Sequence, residues 1–236
     1  MRYLRPLLVS ALLATPALAP HAASDVSKVN GSIHVSAGET TGTVSTVNGS
    51  IRLEENVTAQ NVETVNGSIH IGRSASVQRV ETVNGKIMLL EDVRARSIET
   101  VNGGITCHEN VRIAGDVTAV NGAIRLERGV DVAGNVSNVS GHIELEGARV
   151  GGMLSNTRGD IHIGRGSHVE GGVRVEKAGW SLFSWYRKAP RIVVGPRATV
   201  NGTLTFEQEV ELYVSEQANI GPVHGATVIR FSGERP

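Results

Sequence analysis

Six residues in one short stretch concentrate the recognition chemistry of this sequence: Trp180, Phe183, Trp185, Tyr186, Arg187 and Lys188. The four aromatics lie within seven residues and are half of the eight in the chain. Flat amphipathic rings beside cations suit stacking on a glycan, a foothold at a membrane interface, or contact with an envelope protein. A loop folded back over the flank of its own domain would use the same residues.

A second set is dispersed and becomes a set only through its spacing. His34, Arg52, His70, Met88, Thr106, Arg125, Glu144 and His162 recur at one phase of a repeat. Stacked, they would form a stripe suited to an acidic glycan, or simply a solvated face. His34 and His70 would lie two steps, about 10 Å, apart, too far to share one metal ion. Glu63, Glu81 and Glu99 recur in the same way, each followed by Thr. Aligned like charges are mildly destabilising, so Arg79 and Arg96, or a hard cation such as calcium, would have to offset them. Calcium is the weaker reading, and no metal or other cofactor is expected.

Other motifs have ordinary explanations. Cys107 is the only cysteine, so no disulfide can form within the chain; its phase puts it in a core rather than beside His108 as a ligand. Arg158-Gly159-Asp160 spells an integrin-type tripeptide but sits where the repeat has a corner. Asn-x-Ser/Thr matches such as Asn48-Gly49-Ser50 come from the same corner. Nucleophile elbow, zinc-protease helix motif, phosphate loop and Cys-x-x-Cys are all missing, which favours a non-catalytic protein.

The elements that must position these residues follow from one period. Val-Asn-Gly begins at Val29, Val47, Val65, Val83 and Val101, in steps of 18 residues, then at Val120 after 19. The variants Val139-Ser140-Gly141 and Thr157-Arg158-Gly159 continue the series. A fixed period of this length marks a solenoid. Numbered from its Val, each repeat has apolar residues at positions 1, 5, 7, 11, 13 and 16, for instance Val47, Ile51, Leu53, Val57, Ala59 and Val62. Residues two apart share a face of a strand, and the doublets start about six residues apart. The expectation is an all-β, single-stranded, three-sided parallel β-helix with these residues in its lumen.

Asn-Gly is the expected corner, with Gly accepting positive φ and Asn bonding its equivalent one coil away. The corner ladder comprises Asn30, Asn48, Asn66, Asn84, Asn102 and Asn121 with Gly31, Gly49, Gly67, Gly85, Gly103 and Gly122. The rhythm returns later in Ile192/Val194, Ala198/Val200, Leu204/Phe206 and Val210/Leu212. This divides the chain into a leader (1–23), coils with Val-Asn-Gly corners (24–175), an aromatic insertion (176–190), further coils (191–225) and a tail or cap (226–236).

Arg2 and Arg5 ahead of an apolar run from Leu7 to Ala19 read as a secretory signal, too short to span a bilayer. Its removal near Ala22 or Ala23 leaves 21 basic against 23 acidic residues, a balance with no general attraction to nucleic acid. No other apolar run approaches a membrane span.

The repeated Val-Asn-Gly-Ser-Ile across residues 29–163 resembles the adhesin-like β-helix repeat domains of bacterial envelope proteins. Residues 191–225 are more similar to the short coils of bactofilins, which polymerise end to end. The hexapeptide-like rhythm is also similar to left-handed acyltransferases, although export would separate such an enzyme from its cytosolic acyl donors. The adhesin resemblance implies right-handed winding. It further implies an exported structural, adhesion or binding element, periplasmic or at the surface, working through the aromatic loop. A self-assembling scaffold and a polysaccharide lyase or hydrolase are the alternatives, and the chain is a monomer or associates end to end.

Overall fold

The computed structural model describes residues 24–177 and 189–236. The expected leader and the candidate binding residues Trp180, Phe183, Trp185, Tyr186, Arg187 and Lys188 lie outside the described residues. Within them every regular element is a β-strand and every strand pairing is parallel. Eleven short strands, from Ile33–Val35 to Val228–Phe231, form one sheet in which order in space follows order in sequence. Each coil therefore contributes one rung, as a β-helix requires. The other two sides of the prism merge into a second sheet of 18 strands. Some coils keep those sides separate, as in Asp131–Val132 and Val136–Ser140, whereas Thr58–Asn66 runs through both.

The register equals the repeat. Ile51 pairs with Ile69, Val62 with Val80 and Asn66 with Asn84, so equivalent residues are physical neighbours. Ile51, Leu53, Val57, Ala59 and Val62 are at most 3% exposed and continue into the same positions of adjoining coils. A single coil could not bury this inner face; stacking does so at about 25 cal/mol per Å² of apolar surface. Small aliphatic side chains fill the narrow lumen, consistent with only 3% aromatic residues.

The third inward pair differs from the sequence expectation. The apolar Val at position 1 is expected in the lumen, yet Val29, Val47, Val65, Val83 and Val139 are exposed. The residue before it, position 18, faces inward instead: Thr46, Thr64, Thr82 and Thr100 are buried. Strand alternation sets the parity, and Val at position 16 already points in, so position 18 follows and position 1 must point out. A shift of the same kind appears later, where Leu212 and Val214 form the buried doublet and Val210, expected to pair with Leu212, is only partly buried.

A hydrogen bond explains why Thr occupies the lumen. Thr64 Oγ1 donates to the carbonyl of Gly49 in the same coil (2.9 Å), and Thr82 does so to Gly67 (3.0 Å). These carbonyls fall at the corner, outside the regular strand ladders. Asn138 and Asn156 take over the role through Nδ2, bonding the carbonyls of Gly122 and Gly141. Ala119 occupies the same position in its coil and has no polar group to offer Gly103. Thr82→Val is expected to cost about 1–3 kcal/mol by leaving a carbonyl unpaired, and Thr82→Ser much less. Ala119→Thr should stabilise by about 0.5–1.5 kcal/mol. Urea unfolding of the three variants checks this, and a neutral Thr82→Val would remove the corner staple from the account.

The Asn ladder forms as expected. Asn48 donates from Nδ2 to Asn30 Oδ1, and the same bond links Asn66, Asn84, Asn102 and Asn121 to their predecessors at 2.9–3.0 Å. The reason for the adjacent glycine is partly different. Gly31 does adopt positive φ (106°), but at Gly49, Gly67, Gly85 and Gly103 the requirement is close approach. A Cβ on any of these four would collide with the carbonyl oxygen of the glycine one coil earlier. The left-handed turn recurs instead at position 10, in Asn56, Ser74, Asp92 and Asn110 (φ 55–61°). Asn and Asp tolerate that conformation better than most residues.

The solenoid continues past residue 225. Val228–Phe231 pairs with Glu211–Ser215 and supplies the last rung, so only the final few residues form the expected tail. These run back along the flank, where Glu234 pairs with Arg165 and Arg191 Nη2 donates to the Pro236 carbonyl.

Candidate functional site

The exposed Val column and the Glu column lie side by side because positions 17 and 1 are alternate residues of one strand. Glu63 pairs in register with Glu81, and Glu81 with Glu99. Val47, Val65 and Val83 run parallel to them at 40–41% exposure. Together they line a shallow groove of about 410 Å³ that crosses four coils, bounded at one end by Lys28. The coil interior stops directly beneath it, since Thr64 and Thr82 turn their hydroxyls to the corner carbonyls.

The electrostatics are those of a crowded acidic row. Partial burial raises the Glu81 carboxyl above its ordinary value; Arg79 opposes the shift, and Glu63 and Glu99 reinforce it. Arg79 Nε lies 3.3 Å from Glu81 Oε1, as the sequence suggested. Arg96 does not join them and lines a separate depression with Arg94 and Gln78. A hard cation needs six to eight oxygens around one point. These carboxylates run in a line with aliphatic side chains along one edge, and no group of three metal-ligating residues converges among the described residues.

The His-bearing column is stacked as expected. His34 pairs with Arg52, Arg52 with His70, and the series continues through Glu144 and His162 to Val193 and Tyr213. Its charges find local partners. Arg125 Nη2 is 2.7 Å from Glu144 Oε2, and His34 and His162 each lie 3.5 Å from a glutamate. Burial, aided by Arg52, lowers the His70 pKa. Met88, Thr106 and Glu144 interrupt this column and it ends in apolar residues, so it offers no continuous basic stripe.

Cys107 is fully buried in the lumen, while His108 turns outward to Glu127, with Nδ1 and Oε2 2.9 Å apart. Arg158-Gly159-Asp160 is a corner, with Arg158 stacked on Ser140 and Gly159 at φ 119°. Asp160 Oδ1 accepts a hydrogen bond from the Arg191 amide.

One polar cluster escaped the sequence reading. His168 Nε2 lies 2.8 Å from Glu170 Oε1, and Asn201 Nδ2 donates to Glu170 Oε2 at 2.7 Å. Arg149 bridges Asp131 and Glu170 at 3.2 and 3.4 Å. Hydrogen bonds from Asn201 and His168 hold the Glu170 carboxyl below its ordinary value. The sequence signal was opposite charges at one phase, Arg112, Asp131, Arg149 and His168, which the register stacks. Both oxygens of the carboxylate are engaged, so the cluster serves to clip four coils together.

Residues 178–188 of the aromatic insertion lie outside the described residues, but the positions that flank the insertion are defined. Val175 occupies position 18 of its coil and Ile192 position 5 of the next. Those positions are normally five residues apart, as from Thr64 to Ile69, and here they are seventeen apart. The residues between them therefore stand in place of an Asn-Gly corner, at the edge that carries the Asn ladder. Comparison with protein-family models, with curated proteins and with solved structures gives no match to this chain.

Proposed function

We propose that the chain is an exported, non-catalytic β-helix rod that serves as a structural or binding element of the bacterial envelope, most simply in the periplasm. The observation that carries this reading is the unbroken register through eleven rungs. It makes a stiff body with a filled lumen, so recognition is confined to outer columns and to whatever leaves a corner. The basic, apolar and small-residue order of residues 1–23 supports export. The aromatic insertion at 176–190 supports contact with an envelope glycan or protein.

The experiment is co-sedimentation of the purified protein with isolated envelopes, comparing wild type with Trp180→Ala/Trp185→Ala. The variant should keep its far-ultraviolet β signal and lose at least about tenfold in binding, the scale of two aromatic anchors. Undiminished binding would show that the loop is not the contact. Alkaline phosphatase fused after residue 30 should be active in the periplasm; an inactive fusion overturns export.

A further inference from the structure

The Val/Glu groove has a pattern that ordinary solvated faces lack. Single exposed valines are unremarkable, but here a column of them runs along four coils and is edged by three carboxylates in register. A complementary ligand must be cationic along one side and aliphatic along the other. Its charges must also repeat with the coils, which stack at about 4.8 Å.

That spacing discriminates between ligand classes. A trimethylene chain sets two ammonium nitrogens about 5 Å apart, in step with the rungs. An extended basic peptide presents same-side residues about 6.6 Å apart and falls out of step after one coil. A hydrated divalent ion has no use for the valines. We propose that this groove binds linear aliphatic polyamines, with ammonium groups on Glu63, Glu81 and Glu99 and methylene spacers on Val65 and Val83.

The flanking residues agree with a short polycation. The acidic run is three residues long, because Ser45 precedes Glu63 in the column and Thr118 follows Glu99. Lys28, tied to the Ser32 carbonyl through Nζ, closes one end against further cations. Arg79 approaches Glu81 from position 15, the side away from Val83, and leaves the valine side open. Crowding among the three carboxylates, already evident at Glu81, would be relieved on binding. The inference goes beyond the envelope role and does not depend on export.

The test is titration calorimetry of the purified full chain with norspermidine, a triamine whose two spacers are both trimethylene, at fixed ionic strength. Saturable binding of one norspermidine per chain is expected, undisplaced by an equal concentration of magnesium. Glu63→Gln/Glu81→Gln/Glu99→Gln should weaken it about 30-fold, and Val65→Ser/Val83→Ser about 5-fold. All five side chains lie on the outer face, and circular dichroism confirms that each variant is folded; Glu81→Gln alone, with a smaller loss, replaces the triple variant if that one is not. Glu144→Gln/Glu146→Gln, on another face, should bind like wild type. The proposal is overturned if wild type shows no saturation. It is equally overturned if magnesium displaces norspermidine and the serine pair changes nothing, because that describes a diffuse counterion layer. Binding of an oligolysine peptide without binding of norspermidine also overturns it.

Discussion

Gly67→Ala is expected to destabilise the protein by about 3–5 kcal/mol, the upper end of what single substitutions do. The added methyl would be driven into the Gly49 carbonyl, and that carbonyl is held by Thr64, so neither side can yield without separating two coils. The matched control is Gly38→Ala. Gly38 has positive φ (75°) and nothing within 4 Å of its missing Cβ, so only conformational strain of about 1 kcal/mol is added. Urea midpoints of the two variants measure the difference. Equal losses would mean that backbone conformation, not coil-to-coil approach, selects glycine at the Asn-Gly corner.

The second large effect concerns Cys107 and alkaline pH. Burial, with a smaller contribution from Glu127, pushes its thiol up from 9.0 to about 12. The unfolded chain releases this proton near its ordinary value and the folded chain does not. Stability from this group is therefore complete below about pH 9 and lost progressively toward pH 12. Relative to Cys107→Ala, wild type should lose up to about 4 kcal/mol across that window, at 1.36 kcal/mol per pH unit. The pH dependence of the urea midpoint for both proteins reads this directly, and parallel curves would refute it. Because the thiolate is the reactive form, labelling of native Cys107 by an aromatic disulfide should follow global unfolding instead of preceding it.

Both effects have one origin. Among the described residues, the sensitive points of this stack of rungs are where adjacent coils touch and where the lumen admits a polar group. Thr82, Asn138 and Asn156 mark such admissions, each paid for by a bond to a corner carbonyl. The outer columns are under much weaker constraint. That freedom allows Glu63, Glu81 and Glu99 to stand in a row at some electrostatic cost, and it makes the row informative about a ligand.

How much was legible in the letters differs from feature to feature, for physical reasons. The repeat was enough for the β-helix, the partners of residues in the Val-Asn-Gly coils and the Asn ladder, because in a solenoid a residue's neighbours are its own equivalents. Lumen positions 5, 7, 11, 13 and 16 followed from apolar doublets. The third pair did not, because Val at position 1 is more apolar than Thr at 18 and composition alone cannot see the Gly carbonyl that needs the hydroxyl. Nor could it separate the two uses of glycine, since close approach at Gly67 and left-handed backbone at Gly38 look alike in sequence. The groove was hidden for the same reason: while Val65 and Val83 were assigned to the lumen, the Glu row had no apolar neighbour. Sequence periodicity determined which residues stack; only the closed coil, in which corner bonds set the phase of each strand, decided which of them face the solvent.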